Sequence, residues 1–292
     1  MSAAVLILAC ARAPEPEDLS EMVRIPDGMV RVGSTMPKGA LHGAKAPANG
    51  PGPPPEMKTA TRQRTGPWAP WELVDGQQMA LTAVAVETFE IDRTEVTRGD
   101  YGKFLEDSGY RPPHVDEEWA DDWNWEGVGD EDLPVVLVNW YDARAYCTWA
   151  GKRLPTEAEW QLAALGPDRA GHAWPWGDSY DGSKLNHGKF ETPNVDDSDG
   201  HLWLSPVGSY PEGRSMFGLD DTFGNAWELT SDWRVEDAAL RGTAGPGLYV
   251  AVRGGSYYFD LARNPGSERH RFLAELRRKT SGFRCARDLA GV

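Results

Sequence analysis

No run of about eighteen or more apolar residues occurs anywhere in the 292-residue chain. A helical membrane span is therefore excluded, and any membrane attachment would be made by lipid. Basic residues are also short: 30 Lys and Arg face 45 Asp and Glu, a net charge of −15. Nucleic acid is not an expected partner, because phosphate binding needs a continuous basic surface. Histidine is sparse, and none of His42, His114, His172, His187, His201 and His270 falls at a helical i, i+4 spacing. Neither a zinc helix site nor an iron facial triad can be placed from that spacing. There is no glycine-rich phosphate loop and no Gly-x-Ser-x-Gly elbow.

Cysteine is the scarcest informative residue, with 3 in the chain. Cys10 ends the apolar run of MSAAVLILAC and precedes a Pro/Glu-rich stretch. This pattern is similar to the end of a lipoprotein signal, with Cys10 acylated, residues 1–10 as the signal segment and 11–21 as a tether. It predicts an exported protein of the periplasm or cell envelope, anchored through lipidated Cys10. Cys147 and Cys285 remain. In an exported chain they read as a bridge, and in a reducing compartment as two buried thiols.

What is present supports a folded chain: 40% apolar residues can build one large core. The 13 tryptophans, three of them in WADDWNWEG, read either as stacking surfaces for a sugar or peptide or as anchors of long irregular loops, and the anchor reading is adopted. MVRIPDGMVRVGS alternates around a Pro-Asp-Gly turn and predicts a hairpin. A long Gly/Pro-rich loop is expected from Thr35 to about Thr82, then a strand in VAVETFEID. Thr97 opens a helix that presents Tyr101, Phe104 and Leu105 on one face. PVVLVNW reads as a buried strand, DARAYCTWAG as a helix, and RLPTEAEWQLAALG as a helix with Thr156 as N-cap, Glu159 completing a capping box and Gly166 as the stop. Short strands are expected around LSPVGSY, WELTSDW, VAVRGGSY and GFRCARD. Few helices, short strands and long loops predict a single α+β domain with little regular structure.

GNAWEL sets an amide and a carboxylate three residues apart, and Asn186 with DDSDG offers further oxygen donors. Hard oxygens of this kind suit Ca²⁺, although acidic loops are commonly only solvated. In RGGSY, Ser256 follows two glycines, which permits close backbone approach or simply a tight turn. From Arg263 to Asp288, seven arginines and one lysine stand against three acids, the reverse of the chain as a whole.

These phrases, in this order, resemble the formylglycine-generating enzyme family, also called the sulfatase-modifying-factor family. MVRIPDGMVRVGS, FEIDRTEVTRGDY, PVVLVNWYDARAYCTWAGKRLPTEAEW, SPVGSYPEGRSMFGLDDTFGNAWELTSDW, VRGGSY and SGFRCARD together cover most of residues 22–290. The resemblance implies one C-type-lectin-like domain over that range, with two calcium ions. The first would take Asn186, the His187 carbonyl, Asp199 and the His201 carbonyl; the second Asn225, the Ala226 carbonyl and Glu228. It also implies a disulfide between Cys147 and Cys285. Active relatives bind copper through a cysteine pair, and alignment on the arginines puts Ser267 and Phe272 at those two positions. Thiolates are what hold Cu(I), so copper-dependent formylglycine formation is not expected.

The function expected is a calcium-stabilised domain that binds a peptide, glycan, protein or acidic ligand, or serves as a scaffold. Its candidate cleft is formed by Trp233, Ser256, Arg269, His270 and Arg271, since the planar arginine fork suits carboxylates. The alternative is a diverged oxidoreductase or protein-modifying enzyme using another metal; true formylglycine generation is the third reading.

Overall fold

Pro26 decides how the domain begins. The computed structural model describes residues 20–32, 82–112, 130–167, 173–189, 196–234, 249–262 and 270–289. Cys10 with the signal segment, nearly all of the loop from Thr35, the tryptophan-rich segment 119–127, Ser267 and Arg269 lie outside them. β1 (Met22–Ile25) and β2 (Gly28–Val32) flank Pro26 but do not pair with each other. β1 pairs antiparallel with β4 (Phe89–Asp92), and β2 with β3 (Thr82–Val86). The expected hairpin is thus two bent strands lying side by side, and the strand expected in VAVETFEID breaks in two. Both breaks fall at the same level, where the Asp27 amide donates to Thr88 Oγ1 at 3.1 Å. A proline has no N–H for the ladder, so the ribbon turns from one sheet into the next there. Ile25 and Val30 stay buried on either side of the bend.

The helices follow their local signals. Thr97 caps α1 (Arg98–Ser108), whose Tyr101, Phe104 and Leu105 are buried as the periodicity predicts. α2 (Trp140–Trp149) begins with a reciprocal capping box between Asn139 and Asp142. α3 (Glu157–Leu165) carries the predicted box of Thr156 and Glu159 and ends at Gly166. PVVLVNW is buried but is not a strand. Pro134 makes one bridge with Thr97, and Leu137 takes a φ of 59°, which no ladder accommodates. LSPVGSY is likewise irregular, broken by Pro206 and by Gly208 at a φ of 78°.

β5 (Trp227–Arg234), β6 (Tyr249–Arg253), β7 (His270–Leu273) and β8 (Ser281–Gly282) form a four-stranded sheet in the order β7-β6-β5-β8, with β5 and β8 parallel. β9 (Ala286–Asp288) pairs with β4, so a three-stranded sheet β1-β4-β9 joins the two ends of the sequence. One face of the larger sheet carries Trp227, Leu229, Val250 and Val252. They pack with Tyr101, Phe104, Tyr146 and Phe283 in the main core. Cys147 on α2 and Cys285 beside β9 form a disulfide with 5.7 Å between their Cα atoms. The result is an α+β fold with three short α-helices among the described residues.

Candidate functional site

Strand alternation sorts the candidate cleft residues onto two faces. Opposite β6, His270 pairs with Val252, Arg271 with Ala251 and Phe272 with Val250. His270 and Phe272 therefore share the core face, where their rings stand 4.8 and 6.1 Å from Trp227. Arg271 takes the other face, with its guanidinium 5.0 Å above the ring of Tyr249. Trp233 packs on Trp140 at 4.5 Å. Ser256 is fully enclosed: Gly254 and Gly255 take positive φ, and its Oγ accepts from the Tyr258 amide at 3.4 Å. A side chain at Gly255 would meet Leu261 at 2.4 Å, so RGGSY is a tight turn under the rim.

The other face of β5 carries a buried charge network. Arg284 donates from Nε and Nη2 to the two carboxylate oxygens of Glu228, each at 2.7 Å. Its remaining donors reach the carbonyls of Asp92, Arg93 and Asp220. Trp160 Nε1 donates to Glu228 at 2.7 Å as well. Nearby, Glu95 accepts from Asn225 Nδ2 and the Ala226 amide. Burial pushes Glu95 well above the ordinary carboxylate range, reinforced by Asp221 and Glu228.

The two calcium sets differ in their fit to a cation. In the first, Asp199 holds the 187 and 201 backbone together, accepting from the His187 amide at 2.7 Å and the His201 amide at 3.0 Å. Asn186 donates to the Trp203 carbonyl, and its own Oδ1 is buried with no partner. Gly224 allows this approach, since a side chain there would strike the Asn186 carbonyl at 2.2 Å. Both Asp199 oxygens thus already accept amides, and the Asn186 amide oxygen is the one side-chain oxygen of the two sets left for a hard cation to satisfy. The second set is already satisfied. Asn225 Oδ1 accepts from the Ser205 amide at 3.0 Å, and both oxygens of Glu228 are held by Arg284. Those residues do not fit a cation in this arrangement, and no group of three or more His, Cys, Asp and Glu suited to a metal occurs among the described residues.

Asp221 adds a titration that sequence reading missed. It takes a φ of 54°, and its Oδ2 accepts from the Gly208 amide at 2.6 Å. Burial raises its pKa from 3.8 to about 6, against the opposing pull of Gly208 and Arg284. A carboxyl raised by folding favours the native state at low pH, and that contribution is lost as pH climbs through about 6. Asparagine tolerates the same backbone and keeps the acceptor without titrating. In chelator, Asp221→Asn should gain stability over the parent between pH 4 and 7 by on the order of 1–3 kcal/mol. Urea midpoints across that range check it, and a constant difference would contradict the shift.

With this geometry in hand, comparison with known proteins places the chain among relatives. The sulfatase-modifying factor enzyme 1-like domain family matches residues 10–289. The chain is 30% identical over 265 residues to the formylglycine-generating enzyme of Bos taurus, covering 73% of this chain and 69% of that protein. It is 38% identical over 165 residues to the inactive C-alpha-formylglycine-generating enzyme 2 of the same organism, covering 53% and 50%. The structure of PvdO from Pseudomonas aeruginosa superposes with a TM-score of 0.63 at 22% identity, over 92% of this chain and 95% of that one, and shares the fold.

Proposed function

The chain belongs to the sulfatase-modifying factor enzyme 1-like family, and from that premise we propose that it binds a ligand instead of oxidising one. On this reading it is an exported, calcium-stabilised domain that holds a peptide, glycan or acidic ligand, with Cys10 as the lipid anchor. The observation that carries the proposal is Phe272. At a position where the resemblance expects a copper-binding thiolate, a phenyl ring packs against Trp227 and under the Arg278 guanidinium, 4.4 Å away. A hydrocarbon ring cannot ligate Cu(I). The inactive relative in Bos taurus is consistent with a family member of this kind.

Calcium is assigned to the first oxygen set alone: Asn186, the His187 carbonyl, Asp199 and the His201 carbonyl. Bound there, it would tie the acidic loop to the backbone before β5 and supply charge to the buried Asn186 oxygen.

One experiment addresses both parts. The full chain is incubated with copper, reductant, oxygen and a Cys-x-Pro-x-Arg peptide, then melted with calcium or EDTA. No peptide aldehyde above the protein-free control is expected by mass spectrometry. Free calcium at a hundred times its Kd should add about 2.7 kcal/mol to stability. Aldehyde formation would overturn the binding function, and a melting midpoint blind to EDTA would overturn the calcium site.

A further inference from the structure

Arg278 stands apart from the arginines around it. Arg153, Arg277, Arg284 and Arg287 each hold a carboxylate. Arg278 has no carboxylate partner among the described residues, and its Nε is buried with no hydrogen-bond partner. Burial lowers its pKa with no acid to compensate. In a chain of net charge −15, a half-buried cation without an acid beside it is notable, and Arg98 is the other arginine among the described residues whose pKa burial lowers.

Two donors in the neighbouring sheet also lack acceptors. Trp227 and Ser281 face each other across the parallel β5–β8 pair, and both Trp227 Nε1 and Ser281 Oγ are buried without a partner. Trp227 meets Phe272 on one side, and Arg278 stacks on that same ring. Lys279 follows directly, its ammonium 5.3 Å from the ring centre of Trp203 and 5.5 Å from that of Tyr258. Trp203 and Leu202 beside it are 38% and 45% exposed. Two adjacent cations on aromatic supports, with apolar surface alongside, suit a ligand that brings an anionic acceptor attached to an apolar body.

We propose that Arg278 and Lys279 form a carboxylate site at the rim of β8, and that its occupant is an acidic side chain of a peptide segment whose apolar neighbours lie on Leu202 and Trp203. This rests on the binding function above and specifies its ligand class. A planar carboxylate matches the guanidinium fork in a two-point contact. A sugar ring is less well served, because Lys279 already lies over Trp203 and Tyr258, the rings on which it would stack.

The test is calorimetric titration of the full chain with a short peptide alternating glutamate and leucine, its glutamine analogue, and an oligouronate. The glutamate peptide should bind, weaken as salt is raised, and exceed the glutamine analogue. Arg278→Gln should cost at least about tenfold in affinity, because a charge-assisted hydrogen bond is lost. Lys279→Gln should cost a smaller factor, and Arg24→Gln, on β1, none. Melting midpoints establish that each variant is folded, and Lys279→Gln alone decides the matter if Arg278→Gln does not fold. Equal binding of the glutamate and glutamine peptides overturns the site. Unchanged affinity in both variants overturns it too, while leaving a binding function in place. Binding of the oligouronate alone, lost in Arg278→Gln, overturns the peptide as occupant.

Discussion

Replacing Arg284 with methionine should destabilise the chain by about 3–5 kcal/mol, read as the loss in urea unfolding free energy. The guanidinium and the Glu228 carboxylate are both fully buried, and they meet in a two-point contact at 2.7 Å. Removing the arginine leaves Glu228 with the Trp160 indole as its one side-chain partner among the described residues and frees the carbonyls of Asp92, Arg93 and Asp220. Those carbonyls belong to separate segments, so the arginine is a junction between β4, the turn before β5 and β9. Arg284→Lys should rescue little, because three donors on a flexible stem cannot reproduce five in a plane. Arg284→Met combined with Glu228→Gln should be less harmful than Arg284→Met alone, since no charge is then stranded. A loss below about 1 kcal/mol would show that Glu228 has another partner. If added calcium restored the single variant, that partner would be the cation, and the second oxygen set would regain its place.

Opening the Cys147–Cys285 bridge should have a comparable effect, about 5 kcal/mol in the chain-entropy model for a loop of 138 residues. The bridge spans nearly half the sequence, so the unfolded chain gains most of that freedom when it is cut. Natively it pins α2 to the segment before β9. There the Cys285 amide donates to Asp92 Oδ2, and Asp92 also accepts from Lys152. Both cysteines are fully buried, so the loop-entropy loss comes with a packing loss in a Cys147→Ala, Cys285→Ala variant. Urea midpoints of that variant, and of the parent with and without reductant under denaturing pre-incubation, measure it. A difference below about 1 kcal/mol would mean that the unfolded chain keeps these segments together without the bridge.

Some of this was legible residue by residue. The box of Thr156 and Glu159 was readable because a capping box involves only four consecutive residues, and Tyr101, Phe104 and Leu105 were readable because a helix repeats on its own period. With Cys10 set aside, two cysteines allow only one pairing, so the bridge could be named once oxidation was assumed. The ordered motifs identified the family and, through it, the fold.

Other features depend on partners that local sequence does not specify. The alternation on either side of Pro26 marks two strands, but whether they pair with each other or with 82–92 depends on where the ladder breaks, and both ribbons break together. Glu228 looked like a calcium ligand because its neighbours in GNAWEL are oxygen donors. In this structure both its oxygens accept from Arg284, 56 residues along the chain. In the run RRKTSGFRC the cations look equivalent, yet among the described residues Arg277 meets Asp142, Arg284 meets Glu228 and Arg278 stacks on a ring with no acid beside it. Caps, periodicity and cysteine pairing act over a few residues or by elimination, and so the amino-acid order determines them. The pairing of a buried charge depends on which distant acid the packing brings within about 3 Å, and only the folded chain decides that.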